Sequence, residues 1–396
     1  MSSNYKKLGE IVELIDERNK DGKVQNLIGV SIDKCFIKSV ANTIGTDLTK
    51  YQVIRKNDFT CSLMQVSRDG KIPIACLKDY DEAIMSPAYY IFRIKNTNEV
   101  LPDYLAMWFM RTEFDREASY IAVGGVRGSM PWEDFCDMKL PVPDLKEQEK
   151  IVNTYNAITK RIQLKQKINE NLEKQIRITY KNFKETNSSK KYKLVELCSK
   201  IGSGATPRGG KTSYTKHGIS FIRSMNVFDY NFEYEELAHI NEDQAKELDN
   251  VTLQDNDILF NITGVSVARC CLLPKGLLPS RVNQHVMVIR PKNSKLSLFL
   301  MSALCDSDNK QLLLGISQSG STREAINKQE MENFTIAIPS DEIIEKFNKL
   351  CKPMCNEREI ICKEISKLQE LKQLVISRIS GMQKCHTDSI FLTENL

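Results

Sequence analysis

The chain has 396 residues, 41% hydrophobic and 27% charged, which is enough for two or three soluble domains with sizeable cores. No stretch reaches eighteen uninterrupted apolar residues, and the N-terminal MSSNYKKLGE has no apolar run behind its basic residues, so neither a membrane span nor a secretory leader is expected and the chain reads as cytoplasmic. A net charge of +5 permits nucleic-acid binding without arguing for it, because binding footprints are local.

Residues 1–143 read as a first mixed domain. Short β-type runs such as Tyr89–Ile94 alternate with Ser, Gly, Asn and Asp clusters, and a short helix is expected over Asp103–Glu113. From Asp144 the pattern changes. Ile151, Tyr155, Ile158, Ile162, Ile168, Leu172, Ile176 and Phe183 recur at spacings of mostly three, four or seven, with no Gly or Pro from Leu145 to Phe183. That is an amphipathic helix with a coiled-coil-like seam, about 60 Å long. Asp144 fits its N-cap, with Glu147 three residues on. The helix carries ten Lys and Arg against five Asp and Glu over 144–184, read as a solvated face.

Asn187–Lys191 is the linker into a second mixed domain, 187–339, with a strand at Val286–Ile289 and a short helix at Leu296–Cys305. A second long helix follows over 340–381, striped by Ile343, Phe347, Leu350, Met354, Ile361, Ile365, Leu368, Val375 and Ile379. Pro353 lies inside it, so a kink or break is expected there. Residues 382–396 form a tail. Each long helix needs a partner face in water, and the simplest partner is the other helix.

The chain repeats itself. Tyr5–Ile11 is echoed by Tyr192–Leu197, Val53–Phe59 by Leu253–Leu259, Ile91–Asn96 by Val288–Asn293, and Leu140–Pro143 by Ile338–Asp341. Asp58 and Asp257 are 199 apart and Pro141 and Pro339 198 apart, a period too long for a solenoid. The fold class expected is α+β: two tandem mixed domains and two long antiparallel coiled-coil-like helices, related as an internal pseudo-two-fold repeat.

Motifs for chemistry are weak. Twelve cysteines show no CxxC pair and no matching His spacing, so they read as reduced and mostly buried. Ala205–Thr212 satisfies a permissive phosphate-loop pattern ending in Lys211-Thr212, but it lacks the strand before and the helix after that such a loop needs. No Pro-Pro methyltransferase motif, nuclease carboxylate set or Ser/His/Asp constellation stands out. No catalytic, cofactor or metal residue is assigned, and the chain is not expected to be an enzyme.

Binding remains. Gly124–Ser129 and Ser319–Arg323 are glycine-rich, carry an arginine and sit at matching places in the two copies; Gly202–Lys211 has the same character. Such loops approach phosphates closely and donate to them, although a solvated turn explains any one alone. The candidate DNA-contacting residues are Arg68, Lys71, Arg127, Ser129, Thr206, Arg208, Lys211, Arg223, Asn226, Arg269, Asn283, Gln284, Ser321 and Arg323. Arg pairs with guanine and Asn or Gln with adenine in the major groove.

At this point the residues resemble a known family, the specificity subunit (HsdS) of type I restriction-modification enzymes. The second half carries Gly204-Ala205-Thr206-Pro207, Gly218–Arg223, Asp257-Ile258-Leu259, Asn283-Gln284-His285, Gly320–Arg323 and Ile338-Pro339, which is similar to that family's order of motifs. Leu27–Ser31, Tyr51–Ile54, Asn57-Asp58-Phe59 and Leu140–Pro143 look like a second subclass of the same domain, without the Gly-x-Thr-Pro segment. The resemblance implies two target-recognition domains, each reading half of an asymmetric double-stranded DNA target, with the helices setting the gap. It also implies two methyltransferase (modification) subunits that bring S-adenosylmethionine, and restriction/translocase subunits that use ATP and Mg. Those cofactors would belong to the partners; no membrane is involved. The competing readings are a coiled-coil scaffold that binds proteins without DNA specificity, and an NTPase acting through Lys211.

Overall fold

The computed structural model describes residues 5–39, 46–64, 66–124, 128–215, 217–318 and 325–381. The chain divides into two compact units, residues 1–160 with 370–396, and 161–369.

In the first unit the order is β1 (Tyr5–Lys7), α1 (Leu8–Ile11), β2 (Val12–Ile15), β3 (Ile28–Val30), β4 (Phe36–Lys38), β5 (Gln52–Arg55), β6 (Phe59–Cys61), α2 (Val66–Asp69), β7 (Ile74–Cys76), β8 (Glu82–Met85), β9 (Tyr90–Ile94), α3 (Pro102–Phe109), α4 (Thr112–Ile121), α5 (Trp132–Asp137) and β10 (Lys139–Pro141), followed by α6 (Leu145–Thr186). The helix expected over 103–113 is two helices, because the chain turns at Met110-Arg111. An antiparallel sheet in the order β2-β9-β6-β7 forms the centre, and β1 pairs with β10 beside it. Phe59, Phe92, Phe109, Phe114 and Phe135 fill the core against this sheet with ring centroids 5.1–6.4 Å apart.

The second unit takes up α6 at Arg161 and continues with β11 (Lys190–Lys193), α7 (Leu194–Leu197), β12 (Cys198–Ser203), β13 (Ile219–Ile222), β14 (Val227–Phe228), β15 (Asn231–Phe232), β16 (Ala238–Ile240), α8 (Glu242–Glu247), β17 (Ile258–Asn261), β18 (Cys270–Leu272), β19 (Ser280–Val282), β20 (Val286–Pro291), α9 (Ser297–Leu304), α10 (Ser307–Gln318), α11 (Lys328–Asn333), β21 (Thr335–Ile338) and α12 (Asp341–Gly381). Its central sheet runs β12-β20-β17-β18, and β11 pairs with β21. Position for position this is the arrangement of the first unit. The second unit adds a mixed sheet, β16-β13-β19, where the first has the pairs β3-β4 and β5-β8.

The repeated sequence motifs have physical causes. Asn57 and Asn256 both stand at positive φ, 70° and 66°, a conformation Asn tolerates better than most residues. Each precedes a buried aspartate. Asp58 accepts Arg93 through both oxygens at 3.0 Å, and Asp257 accepts Arg290 through both at 2.7 Å. Each aspartate also caps the turn before it, taking the Arg55 amide at 3.0 Å and the Gln254 amide at 2.8 Å. A buried carboxylate needs such partners. The turn therefore fixes where β6 and β17 enter their sheets, and β9 and β20 supply the arginine.

Both long helices form. Asp144 Oδ1 accepts the Glu147 amide at 2.9 Å, the cap the sequence predicts. In the first unit Ile151, Val152 and Tyr155 share a core with Ile376 and Ile379, and Lys372 lies over the Tyr155 ring. In the second unit Tyr180 and Phe183 meet Phe347, with Ile344 and Cys351 in the same cluster. Early residues of one helix meet late residues of the other, so the pairing is antiparallel in each unit. The expected break at Pro353 is absent; α12 runs through it. Phe347, Cys351 and Ile361, all buried, anchor the helix on both sides of the proline, and that packing outweighs the roughly 3 kcal/mol a helical proline costs. Two seam assignments need correction. Ile168 and Leu350 are exposed. Asn169 takes the seam position instead, its Oδ1 accepting Arg358 Nε at 2.9 Å while Glu173 accepts Nη2 at 2.9 Å. This buried polar layer fixes the register of the pair within the unit.

Every cysteine among the described residues is free. Among the described residues no helix is long and apolar enough to cross a membrane, and no group of three or more His, Cys, Asp or Glu side chains is placed to hold a metal.

Candidate nucleic-acid interface

The loop leaving the third strand of each central sheet is pinned by the segment that re-enters the core. In the first unit the Met130 amide donates to the Leu63 carbonyl at 2.9 Å; in the second the Ile326 amide donates to the Ile262 carbonyl, also at 2.9 Å. Met130 and Ile326 are therefore equivalent positions. An arginine lies three residues before each, Arg127 and Arg323. Arg127, Ser321 and Arg323 lie outside the described residues, as does the Lys211 side chain. The described residues that follow each glycine-rich stretch, Met130 and Ile326, lie at the same edge of the same sheet, once per unit.

In the first unit this edge is built on α2. Gly128 stands at φ +72°, a conformation that favours glycine, and a Cβ there would lie 2.2 Å from Ser67 Oγ, forcing that hydroxyl to turn away. Arg68 is exposed on α2 and bonds the neighbouring Asp69 at 2.7 Å and 3.2 Å. That guanidinium holds the Asp69 carboxyl below its usual range. Lys71 is exposed just beyond, and Ser129 adjoins Gly128. Behind the edge, Lys34 reaches both oxygens of Asp115 at 2.8 Å, and the Ile72 amide donates to the same carboxylate at 3.2 Å. Burial pulls the Lys34 ammonium below its ordinary pKa, with Asp115 opposing.

In the second unit the edge is a polar cluster. Gly204 and Ala205 extend β12 along the β19–β20 turn, their amides donating to Val286 and Val282 carbonyls at 2.9 Å and 3.0 Å. A Cβ on Gly204 would lie 2.1 Å from the Val282 carbonyl oxygen, so this contact requires glycine. The approach brings the Thr206 hydroxyl to the side-chain oxygen Oε1 of Gln284, to which it donates. Gln284 is exposed, and its amide nitrogen lies 3.2 Å from His285 Nε2. His285 Nδ1 lies 2.8 Å from Thr263 Oγ1. An amide donating to Nε2 fits the tautomer with its proton on Nδ1, aimed at Thr263. Thr206, Gln284, His285 and Thr263 thus form one chain of hydrogen-bonding groups, and Thr263 pairs with Ala325, where the Arg323 loop returns.

Other expected site residues serve differently. Asn226 is wholly buried: its oxygen accepts the Arg223 amide at 3.0 Å and its nitrogen donates to the Glu233 and Glu235 carbonyls. It brackets an internal turn and offers nothing to a base, which corrects that expectation. Arg223 donates to the Glu236 carbonyl and lies over the Tyr214 ring, so its guanidinium is engaged within the unit. Asn283 is nearly buried and shapes the turn by accepting the His285 amide at 3.2 Å. Arg269 lies over the Phe228 ring at 4.7 Å, in a charged hollow of about 400 Å³ with Glu173, Arg177, Asp229 and Lys310. Arg208 is exposed beyond Pro207. His285 and Thr263 were missed as site residues. His285 adjoins Gln284 in sequence, but only the fold brings Thr263 to its ring.

Comparison with known proteins gives a single direction. The model of the type I restriction modification DNA specificity domain matches twice, over residues 3–174 and 187–370. The chain is 28% identical over 155 residues to the type I restriction enzyme MjaVIII specificity subunit of Methanocaldococcus jannaschii, a match spanning 38% of this chain and 36% of that protein. It is 22% identical over 320 residues to the MjaIX specificity subunit of the same organism, spanning 76% and 69%. Among solved structures, the S subunit of a type I restriction-modification system from M. genitalium superimposes with a TM-score of 0.59 at 13% identity, over 96% of each chain, which is a likeness of fold.

Proposed function

This chain belongs to the type I restriction-modification DNA specificity family, as a non-catalytic specificity subunit, and on that premise we propose that each of its two repeats reads one half of an asymmetric, bipartite DNA target. One observation supports the reading: in both divergent repeats the chain that follows an arginine-bearing glycine stretch rejoins the end of the same strand through the same backbone hydrogen bond, Met130 to Leu63 and Ile326 to Ile262. A loop built for close approach with donors at its tip suits the DNA backbone, and the adjoining exposed side chains suit base edges. In the second repeat those are exposed Thr206 and Gln284 beside half-buried His285, and we assign Arg208, Lys211, Ser321 and Arg323 to the same interface. In the first they are exposed Arg68 and Lys71, and we assign Arg127 and half-buried Ser129 to the same interface.

The long helices set the gap between the half-sites: 42 residues of α6 correspond to about 60 Å of protein. Their exposed apolar side chains, Leu164, Ile178 and Ile360 in the second unit and Leu371 and Leu374 in the first, suit the docking of two methyltransferase subunits. S-adenosylmethionine, ATP and Mg then enter on the methyltransferase and restriction/translocase subunits, in the cytoplasm, and this chain contributes no reacting group.

The test is binding by the complex assembled with its methyltransferase subunits, measured on the methylated target and on a scrambled duplex over a salt series. Preference for the target should persist as salt rises while non-specific binding falls away. Arg323→Ala should weaken binding to one half-site and Arg127→Ala to the other. Equal affinity for both duplexes at every salt concentration would end the proposal and favour the protein scaffold.

A further inference from the structure

The polar edge of the second unit has one apolar feature. Thr263 leads into a tight turn, Gly264–Ser266, whose middle residue, Val265, is 99% exposed. Among the described residues this is the most exposed large hydrophobic side chain; the next two are Tyr120 at 82% and Val123 at 72%. Those two lie at the end of α4 and in the turn after it, which packs against α2 at the matching edge of the first unit. Both repeats thus concentrate their most exposed apolar side chains beside the proposed reading loops.

The Val265 turn is held firmly. The Val267 amide donates to the Gly264 carbonyl at 2.9 Å, Arg269 to Ser266 at 3.2 Å, and Ala268 to Asn261 at 2.9 Å. Gly264 and Ala268 stand at φ 68° and 64°, the conformations that make so sharp a turn. Two residues' distance separates Val265 from Thr263, whose hydroxyl contacts His285. A rigid, fully exposed apolar knob therefore stands next to Thr263, the last member of the hydrogen-bonded chain that runs through Thr206, Gln284 and His285.

At base edges in the major groove, the one apolar group is the C5-methyl of thymine. We infer that Val265 reads a thymine methyl in the half-site bound by the second unit. The inference rests on the DNA-reading proposal and adds the base feature recognised. Valine is too short to reach far between stacked bases, and the side chains that wedge base steps are usually longer ones such as Phe, Leu, Ile and Met. Contact with a methyl needs only van der Waals approach.

The experiment uses the assembled complex and the duplex it methylates. Each thymine of that half-site is replaced in turn by deoxyuridine, which removes the methyl group and leaves every hydrogen-bonding atom. Loss of one buried methyl corresponds to about a fourfold loss of affinity. Wild type should lose about that factor at a single thymine. V265A should bind the unmodified duplex about fourfold more weakly and no longer distinguish thymine from deoxyuridine there. Because Val265 is exposed, the variant keeps the fold, which an unchanged melting curve verifies. The inference is overturned if wild type is indifferent to deoxyuridine at every position, if V265A keeps the full sensitivity, if the half-site has no thymine, or if V265A weakens target and scrambled duplexes alike, as loss of a sequence-blind wedge would. Should wild type bind target and scrambled duplexes equally, the DNA-reading proposal itself fails, a result separable from all of these.

Discussion

Gly204→Ala isolates the contact that builds the second unit's polar edge. The added methyl would sit 2.1 Å from the Val282 carbonyl oxygen and 2.4 Å from that of Asn283. Both are backbone atoms in a sheet connection, so neither rotates aside, and the Gly204–Thr206 segment must withdraw by more than about 1 Å to restore ordinary contact. Withdrawal breaks the two amide bonds at 2.9 Å and 3.0 Å. Each is worth about 1 kcal/mol net, so withdrawal loses about 2 kcal/mol, comparable to the roughly 1–3 kcal/mol of overpacking that staying in place would cost. The segment detaches locally before the unit unfolds, so part of this appears as local opening. Hydrogen exchange followed by mass spectrometry should show the Gly204 and Ala205 amides losing protection while β17 and β20 keep theirs. Binding to one half-site should fall at least tenfold with the other unaffected. Gly202→Ala is the control: nothing lies within 4 Å of its added methyl, and the change should be neutral within about 0.5 kcal/mol. If Gly204→Ala leaves exchange and binding at wild-type values, the close approach does not build the edge and the argument from Gly204 to Thr206 and Gln284 collapses.

Asp257→Ala strands Arg290, whose side chain is only 18% exposed, and should cost about 3–5 kcal/mol in urea unfolding; Asp58→Ala should cost less, because Arg93 is 39% exposed and can turn to water. The reverse order would contradict the account of the repeated turn. Burial pushes the Cys76 and Cys198 thiols up to about 12, so near pH 8 almost none is thiolate in the native protein. Iodoacetamide should therefore label exposed Cys35 first, and mass mapping that found Cys198 labelled equally fast would refute the buried placement. Inserting four residues near Ile168 lengthens α6 by about 6 Å and should change the preferred spacer while leaving both half-site sequences intact; methylome sequencing that found altered half-sites with an unchanged spacer would count against the helices as a ruler.

The repeat, both long helices and the Asp144 cap were legible because each depends on local chemistry. Asn-Asp at a fixed offset encodes a left-handed residue followed by a buried carboxylate, and the 3.6-residue period encodes a seam. The continuity of α12 was not legible, since the penalty at Pro353 is local whereas the packing of Phe347, Cys351 and Ile361 that overrides it is tertiary. Ile168 and Leu350 misled for a related reason: an apolar residue one step off the seam looks the same in sequence as one on it, and the polar Asn169–Arg358 bond occupies the true position. At the candidate site, sequence identified Thr206 and Gln284 separately, 78 residues apart. Their contact depends on Gly204 closing on the β19–β20 turn. Asn226 was misjudged because Asn in a loop has the same appearance whether it faces a base or braces its own turn.

The two repeats share what a common geometry demands and differ where recognition would need difference. The buried Asp–Arg pair, the turn asparagine and the pinning amide recur because they set where the third strand and the following loop emerge from the sheet. Beyond that loop the repeats part. The first unit builds its edge on α2, with Arg68 beside Gly128, whereas the second builds it from Gly204 and the Asn283–His285 turn. A scaffold constrained by buried charge tolerates little change, while an edge supported by backbone hydrogen bonds can exchange its exposed side chains without loss of the core. Each repeat can therefore present a different set of donors and acceptors on the same frame, which is what the proposed asymmetric target requires. Exchanging Gln284 and His285 should accordingly alter the sequence preferred in one half-site and cost the unit no more than the one or two hydrogen bonds removed, about 1–2 kcal/mol; a variant that unfolded the unit while keeping its preference would show that these side chains belong to the frame.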